Sequence, residues 1–285
     1  MDDSILDSYR RQADHGREMS MPSRFSAPES VDNWRHTRML SCAQPLVQAL
    51  PQSRWMTVGD GAFGSDAAYL SSLGVQAVAS SLVTDTLRVA HERGYIREYR
   101  EENAERLSLA DDEVDFVLCK EAYHHLPRPP IGLYEMLRVA KVGVLLIEPI
   151  DGTRLLDGLK YLAKKLLRGD VETRFEPAGN FIYRINIDEM AKLMTAAGQS
   201  HIAYRRFNDF YMPGLGGSAA GQWNRGYALT RLGVGVQDLL CRLGLLAWGL
   251  AGVVLLKGRP DAALLAALER GGYTVRALPV NPYAG

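Results

Sequence analysis

Cysteine is scarce in this chain of 285 residues: there are three, Cys42, Cys119 and Cys241, far apart and odd in number. No CxxC pair and no Cys/His cluster occurs. Neither a disulfide framework nor a zinc site is therefore expected, and the thiols read as reduced and cytosolic. Net charge is lacking too. Lys plus Arg number 33 and Asp plus Glu number 33. That balance argues against a broad nucleic-acid-binding surface and leaves room for a local basic patch at most. The first residues, Met1-Asp2-Asp3-Ser4, have neither the basic nor the apolar region of a signal peptide. A cytoplasmic protein is expected. The uncharged run LGLLAWGLAGVVLL (243–256) falls short of the ~20 residues that a spanning helix needs. Asp238, Arg242 and Lys257 flank it, and Gly249 and Gly252 offer break points. A buried helix running into a buried strand is expected there, and no membrane span.

What is present suits a globular chain. Hydrophobic residues make up 47% and charged residues 23%, enough for a sizeable core. Residues 1–50 are polar, but Trp34, Met39, Leu40, Leu46 and Leu50 suggest helices that cover the edge of a core. Then the pattern changes. RWMTVG (54–59), VQAVAS (75–80), YIREYR (95–100), VDFVLCK (114–120) and VGVLLIEP (142–149) read as strands. Segments 65–73, 83–94 and 129–139 read as helices between them. Strands alternating with helices argue for an α/β fold, a parallel sheet with helices on both faces. After residue 150 the rhythm breaks. Leu155, Leu159, Leu162 and Leu166 form a helical stripe, with Lys160, Lys164, Lys165 and Arg168 on other faces. This basic amphipathic helix over 153–168 packs on the domain, or serves as a lid, a partner contact or a membrane-surface element. Segment 185–198 predicts a helix, 201–207 a strand and 261–272 a last helix. The end, 272–285, is apolar enough to pack back on the sheet.

The strongest chemical signal is TVGDGAFG (57–64), after a strand and before a helix. Glycines there permit a sharp turn and close approach of a ligand to the main chain. Alone, such a turn serves packing as often as binding. Two further stretches follow in order: ENAERLSLADDEVDFVLCKEAYHHLPRP (102–129) and LYEMLRVAKVGVLLIEP (133–149). Together, over 54–149, the series resembles class I S-adenosylmethionine (SAM)-dependent methyltransferases, in particular the methyltransferase type 11-like branch with an "HH-l-P" segment and an "E-x-x-RV-k" helix.

The resemblance implies a Rossmann-like, seven-stranded, mostly parallel sheet. It implies an N-terminal helical cap (1–50), a SAM-binding core (51–149), an insertion governing acceptor choice (150–200) and a C-terminal completion of the sheet (201–285). It implies SAM as cofactor. Gly59, Asp60, Gly61 and Gly64 would form the turn beneath the methionine part and ribose. Ser81 stands where the family has an acidic ribose ligand, and Asn103, followed by Ala104, stands at the adenine position. Lys120 and Glu121 follow the fourth strand, where cofactor and acceptor meet. The family's acidic residue on the first strand is Thr57 here, and its third glycine is Phe63.

On the acceptor side, His124 and His125 lie just past the fourth strand. A methyltransferase must align a nucleophile with the methyl group and remove a proton from a hydroxyl acceptor, and histidine suits proton removal near neutral pH. Further candidates are Tyr9, Arg10, Trp34, Arg35 and His36 near the start, Arg174, Tyr183 and Arg184 in the insertion, and Tyr204, Asn208, Asp209 and Tyr211 near a late strand. The leading expectation is methyl transfer to a hydroxyl or amine of a small molecule or glycan precursor in biosynthesis. The alternative is a catalytically degenerate SAM-fold scaffold, favoured by Thr57, Phe63 and Ser81. A dinucleotide-dependent oxidoreductase fits less well, because no acidic residue ends the second strand. No metal site is expected.

Overall fold

Strands form where apolar residues run unbroken, and helices begin where a short polar side chain can cap them. The computed structural model describes residues 3–18, 25, 27–159, 165, 175, 181–221 and 223–282. In chain order these residues form α1 (Asp3–Glu18), α2 (Val31–Leu40), α3 (Gln44–Ala49), β1 (Arg54–Val58), α4 (Ser65–Ser72), β2 (Gln76–Ser81), α5 (Asp85–Glu92) and β3 (Tyr99–Glu101). There follow β4 (Val114–Lys120), α6 (Pro129–Val139), β5 (Ala140–Pro149), α7 (Ile187–Ala196), β6 (His201–Phe207), α8 (Arg225–Arg242), β7 (Leu250–Leu256), α9 (Ala262–Arg270) and β8 (Thr274–Ala277). Ser30, Asn186, Asn224 and Asp261 cap α2, α7, α8 and α9, each accepting a backbone N–H of the first turn. Pro129 opens α6, where its missing N–H costs nothing.

The strands make one sheet in the order β3-β2-β1-β4-β5-β7-β6-β8. From β3 to β5 every pairing is parallel, and β7 lies antiparallel to both β5 and β6. The sheet has eight strands rather than the expected seven. The extra one is β8, from the tail expected to pack back, which pairs antiparallel with β6. The chain leaves β1 toward β2 and returns on the other side as β4, so a crevice opens between the C-terminal ends of these strands.

Alternation along the strands fills two cores. Trp55 and Phe116 stack at 4.6 Å on one side of the sheet, with Leu70 and Leu118. Met56, Val117, Met136 and Leu146 fill the other. Two boundaries differ from expectation. The third strand is shorter, at 99–101. The apolar run 243–256 contains no buried helix: α8 stops at Arg242, a turn follows at Gly244, and the strand starts at Leu250. Gly252 is no break. It lies inside β7, where a Cβ would come within 2.6 Å of the Cys42 sulfur. All three cysteines are buried thiols, and none is in a disulfide. No described helix is long and apolar enough to cross a membrane. Most of the basic helix expected over 153–168 lies outside the described residues, though 155–159 are helical.

Candidate functional site

Beyond β1 the chain must turn at once into α4. Gly59 takes a left-handed φ of 77°, and a Cβ there would strike Ala122. Phe63 and Gly64 are left-handed too, at 59° and 67°. For Phe63 that conformation carries a steric cost. Its ring is buried and meets Phe25 at 6.4 Å, which offsets the strain. Thr86, in the first turn of α5, donates to the Gly61 carbonyl at 2.7 Å and clamps the turn from the far side.

Asp60 holds the start of α4. Its carboxylate accepts from Thr57 Oγ1 at 2.9 Å, from the Asp66 amide at 3.2 Å and from the Ala67 amide at 2.9 Å. Thr57 thus donates to a carboxylate three residues along the chain. Burial, helped by the neighbouring Asp66, pushes the Asp60 carboxyl up to about 7, against these hydrogen bonds.

Two residues that close β4 add charge. Lys120 is buried and lies 3.5 Å from Asp66 and 3.2 Å from Glu121. Glu121 is left-handed at φ 50°, an uncommon conformation of the kind found at functional sites. Burial opposes its ionisation, but Lys120 and His36, with His124 behind them, hold its carboxyl down at about 2. His36, from α2, lies 3.9 Å from Glu121 and 3.5 Å from Asp32.

These residues surround a cleft of about 360 Å³, within the usual size of small-molecule and cofactor sites. Gly59, Asp60, Gly61, Ser81, Asn103, Ala104, Lys120, Glu121, His125 and His36 all line it. Gly64 does not; it caps α4 from behind the turn. Neither does His124. Its Nδ1 lies 2.5 Å from Glu148, a fully buried carboxylate that also accepts the amides of Ala122 and Tyr123, each at 2.9 Å. The two neighbouring histidines thus face different surroundings. Asn103 Oδ1 accepts the Glu105 amide at 2.9 Å, and its second lone pair leaves capacity for another donor.

Helix α1 lies across the cleft. Tyr9, Gln12 and Gly16 line it, Gln12 donates to the His125 carbonyl at 2.7 Å, and Tyr9 donates to Glu105 at 2.7 Å. Other candidates fall elsewhere. Arg10 is paired with Asp7 at the surface, and Arg184 is exposed. Trp34 packs edge-on against Tyr227. Arg35 is paired with Asp209 and lies over Tyr211. Asn208 bridges Asp238 and the Gly249 amide. Tyr204 packs on the core beneath Arg206. Tyr183 packs near Tyr123, and its amide donates to the His124 carbonyl at 3.2 Å. Arg174 lies outside the described residues. Gln12, Asp66 and Glu148 escaped sequence reading. Glu148 left a signal: a lone acid inside the apolar run 142–149 must find partners when buried.

A glycine turn at the point where a parallel sheet reverses direction, opening on a cleft between strand ends, defines a nucleotide-type cofactor domain. Residues 56–147 match the family model described as a methyltransferase domain. Among solved structures, a SAM-dependent methyltransferase from Archaeoglobus fulgidus is 14% identical with a TM-score of 0.51, over 78% of this chain and 94% of that one. The YcgJ protein of Bacillus subtilis is 19% identical with a TM-score of 0.47, over 77% and 99%. A SAM-dependent methyltransferase of Methanosarcina mazei is 18% identical with a TM-score of 0.45, over 71% and 92%. No curated protein matches the sequence. Residues 56–147 thus match a methyltransferase domain, and the chain has the fold of the SAM-dependent methyltransferase from Archaeoglobus fulgidus.

Proposed function

We propose that this protein transfers the methyl group of SAM to a hydroxyl or amine of a small molecule or glycan precursor by direct displacement, in a cytoplasmic biosynthetic step. The observation that carries the reading is the single cleft wall that gathers Gly59, Asp60, Gly61, Ser81, Asn103, Ala104, Lys120 and Glu121 under α1. The fit to SAM rests on the main chain. Gly59 has no room for a side chain, and a Cβ on Gly61 would come within 3.2 Å of Ser81 Oγ, so both glycines keep the floor low enough for a ligand.

Residues of this chain would hold the cofactor through the Ser81 hydroxyl, the Asn103 side chain and the carboxylates of Asp60 and Glu121. The bound cofactor supplies an electrophilic methyl group on a sulfonium. Glu121, ionised and facing the cleft, favours positive charge there. His125 and His36 line the same cleft and are the groups suited to take a proton from an acceptor hydroxyl. His124, against Glu148, positions the short turn that presents His125. Residues 150–200 are assigned to acceptor choice. Three buried thiols outside any disulfide support the cytoplasmic reading.

Calorimetric titration with SAM and with S-adenosylhomocysteine tests the proposal. Binding of both in the micromolar range is the expected result. A folded protein that binds neither would overturn it and leave the degenerate scaffold. With an acceptor in hand, His36→Ala and His125→Ala should lower kcat by roughly 10²–10⁴ if either is the base, with SAM affinity retained.

A further inference from the structure

Helix α8 has two contrasting faces. Gly226, Thr230, Val234 and Cys241 are buried against the rest of the molecule. Leu229, Leu232, Val236, Leu239 and Leu243 stand 51, 63, 46, 57 and 63% exposed. Their spacing alternates between three and four residues, which places them in one straight stripe. At Gly235, beside the stripe, a Cβ would meet nothing within 4 Å.

The apolar face continues past the helix. The Leu156 amide donates to the Leu245 carbonyl at 3.1 Å, and the Ala247 amide to Asp157 at 2.8 Å. Those bonds tie segment 155–159 to the turn after α8, and that segment exposes Leu155 and Leu159 at 71% and 54%. At the other end Trp223 is 97% exposed. Monomeric proteins rarely leave so much contiguous apolar surface without a use for it.

Charge indicates what covers it. Arg225, Arg231 and Arg242 are exposed around the stripe, and none is ion-paired to a described residue. The one acid in the helix, Asp238, is turned to Asn208 at 2.8 Å. A second copy of this chain would set one cationic rim against another, which is repulsive. An anionic bilayer surface complements every part. Its acyl region takes the leucines, its headgroups pair with the arginines, and the boundary between them suits an amphipathic tryptophan. We propose that α8, with Trp223, Leu155 and Leu159, is an interfacial face that seats the protein on an anionic lipid surface without crossing it. Tyr227 of α8 meets Trp34 of α2 at 5.2 Å, and α2 carries His36 into the cleft. The seated surface therefore adjoins the wall of the cleft. Lipid binding itself needs neither cofactor nor acceptor.

Co-sedimentation of the full chain tests this. The vesicles are phosphatidylglycerol with phosphatidylcholine, or phosphatidylcholine alone. The expected result is binding to the anionic vesicles that weakens as salt rises. Leu232→Glu with Leu239→Glu should lower vesicle affinity roughly tenfold or more, because two leucines that enter the acyl region become charges. Arg225→Glu, Arg231→Glu and Arg242→Glu together should abolish the preference for anionic vesicles. All five positions are exposed, so an unchanged circular dichroism spectrum and SAM affinity should accompany these losses. The proposal is overturned if the folded protein ignores anionic vesicles, or if the leucine variant binds them equally well. It is also overturned if light scattering finds a dimer that the leucine variant dissociates while vesicle binding is absent.

Discussion

Two regions of the molecule use their side chains in opposite ways. Around the cleft, even the charged groups are drawn inward and partnered. Glu148, Asp60, Asp66 and Lys120 are buried, and each meets a donor or an opposite charge. Along α8, apolar side chains are left outside although a surface helix has no folding reason to carry them. The difference teaches where selection of residues serves the fold and where it serves something beyond it. A buried charge with partners stabilises one arrangement of the chain, because every alternative leaves it unpaired. A leucine that is more than half exposed adds helix propensity but little burial to the isolated molecule.

Single substitutions sharpen that contrast, beginning with the largest effect. Glu148→Ala strands two amides and His124 in the interior, and should cost about 3–5 kcal/mol by chemical denaturation. A loss under about 1 kcal/mol would mean that the cluster is not a stabilising element. Gly59→Val combines a left-handed backbone with a collision at Ala122. It should cost ~1–3 kcal/mol and remove SAM binding, read by denaturation and titration side by side. Retained binding would show that the turn does not support the cofactor.

Asp60→Asn is read through pH. The folded carboxyl is pushed up to about 7 from an ordinary 3.8. Between those values the folded protein keeps a proton that the unfolded chain has released. Wild-type stability should therefore fall as pH rises through this window and level off above it. The variant lacks that slope. Thermal midpoints at about pH 5 and about pH 8 measure the difference, and identical slopes for the two proteins would refute the shift. Smallest is Leu232→Ala on α8, expected to change stability by less than about 0.5 kcal/mol. A loss of 2 kcal/mol or more would show that this face is packed, and would erase the contrast.

Much of the parallel half was legible from residue order. Runs such as VDFVLCK are short and bounded by polar residues, which favours a strand of a covered sheet, and the segment 114–120 forms β4 at those bounds. The turn TVGDGAFG announced itself because few residues other than glycine tolerate its backbone. Even its departure from pattern, Phe63, was visible as an anomaly, though not that the phenylalanine would adopt the left-handed conformation itself. The antiparallel half was harder. The run 243–256 is uniformly apolar, so its pattern cannot tell helix from strand, and Gly252 looked like a break when it answers the approach of Cys42 from far away in sequence. The tail strand β8 is short and half polar, and its pairing with β6 supplies what its own residues do not.

The order of the residues determined the fold class, the glycine turn and the strand ends that line the cleft, because each depends on local backbone preference or on hydrophobic period. Only the tertiary structure decided which of two adjacent histidines faces the cleft. It also decided that Thr57 donates to the Asp60 carboxylate three residues along, and that the leucines of α8 stay outside. Those outcomes depend on partners distant in the chain: Glu148 for His124, the first turn of α4 for Asp60, and α2 with Asn208 for the inner face of α8. No local pattern encodes which distant neighbour will be there.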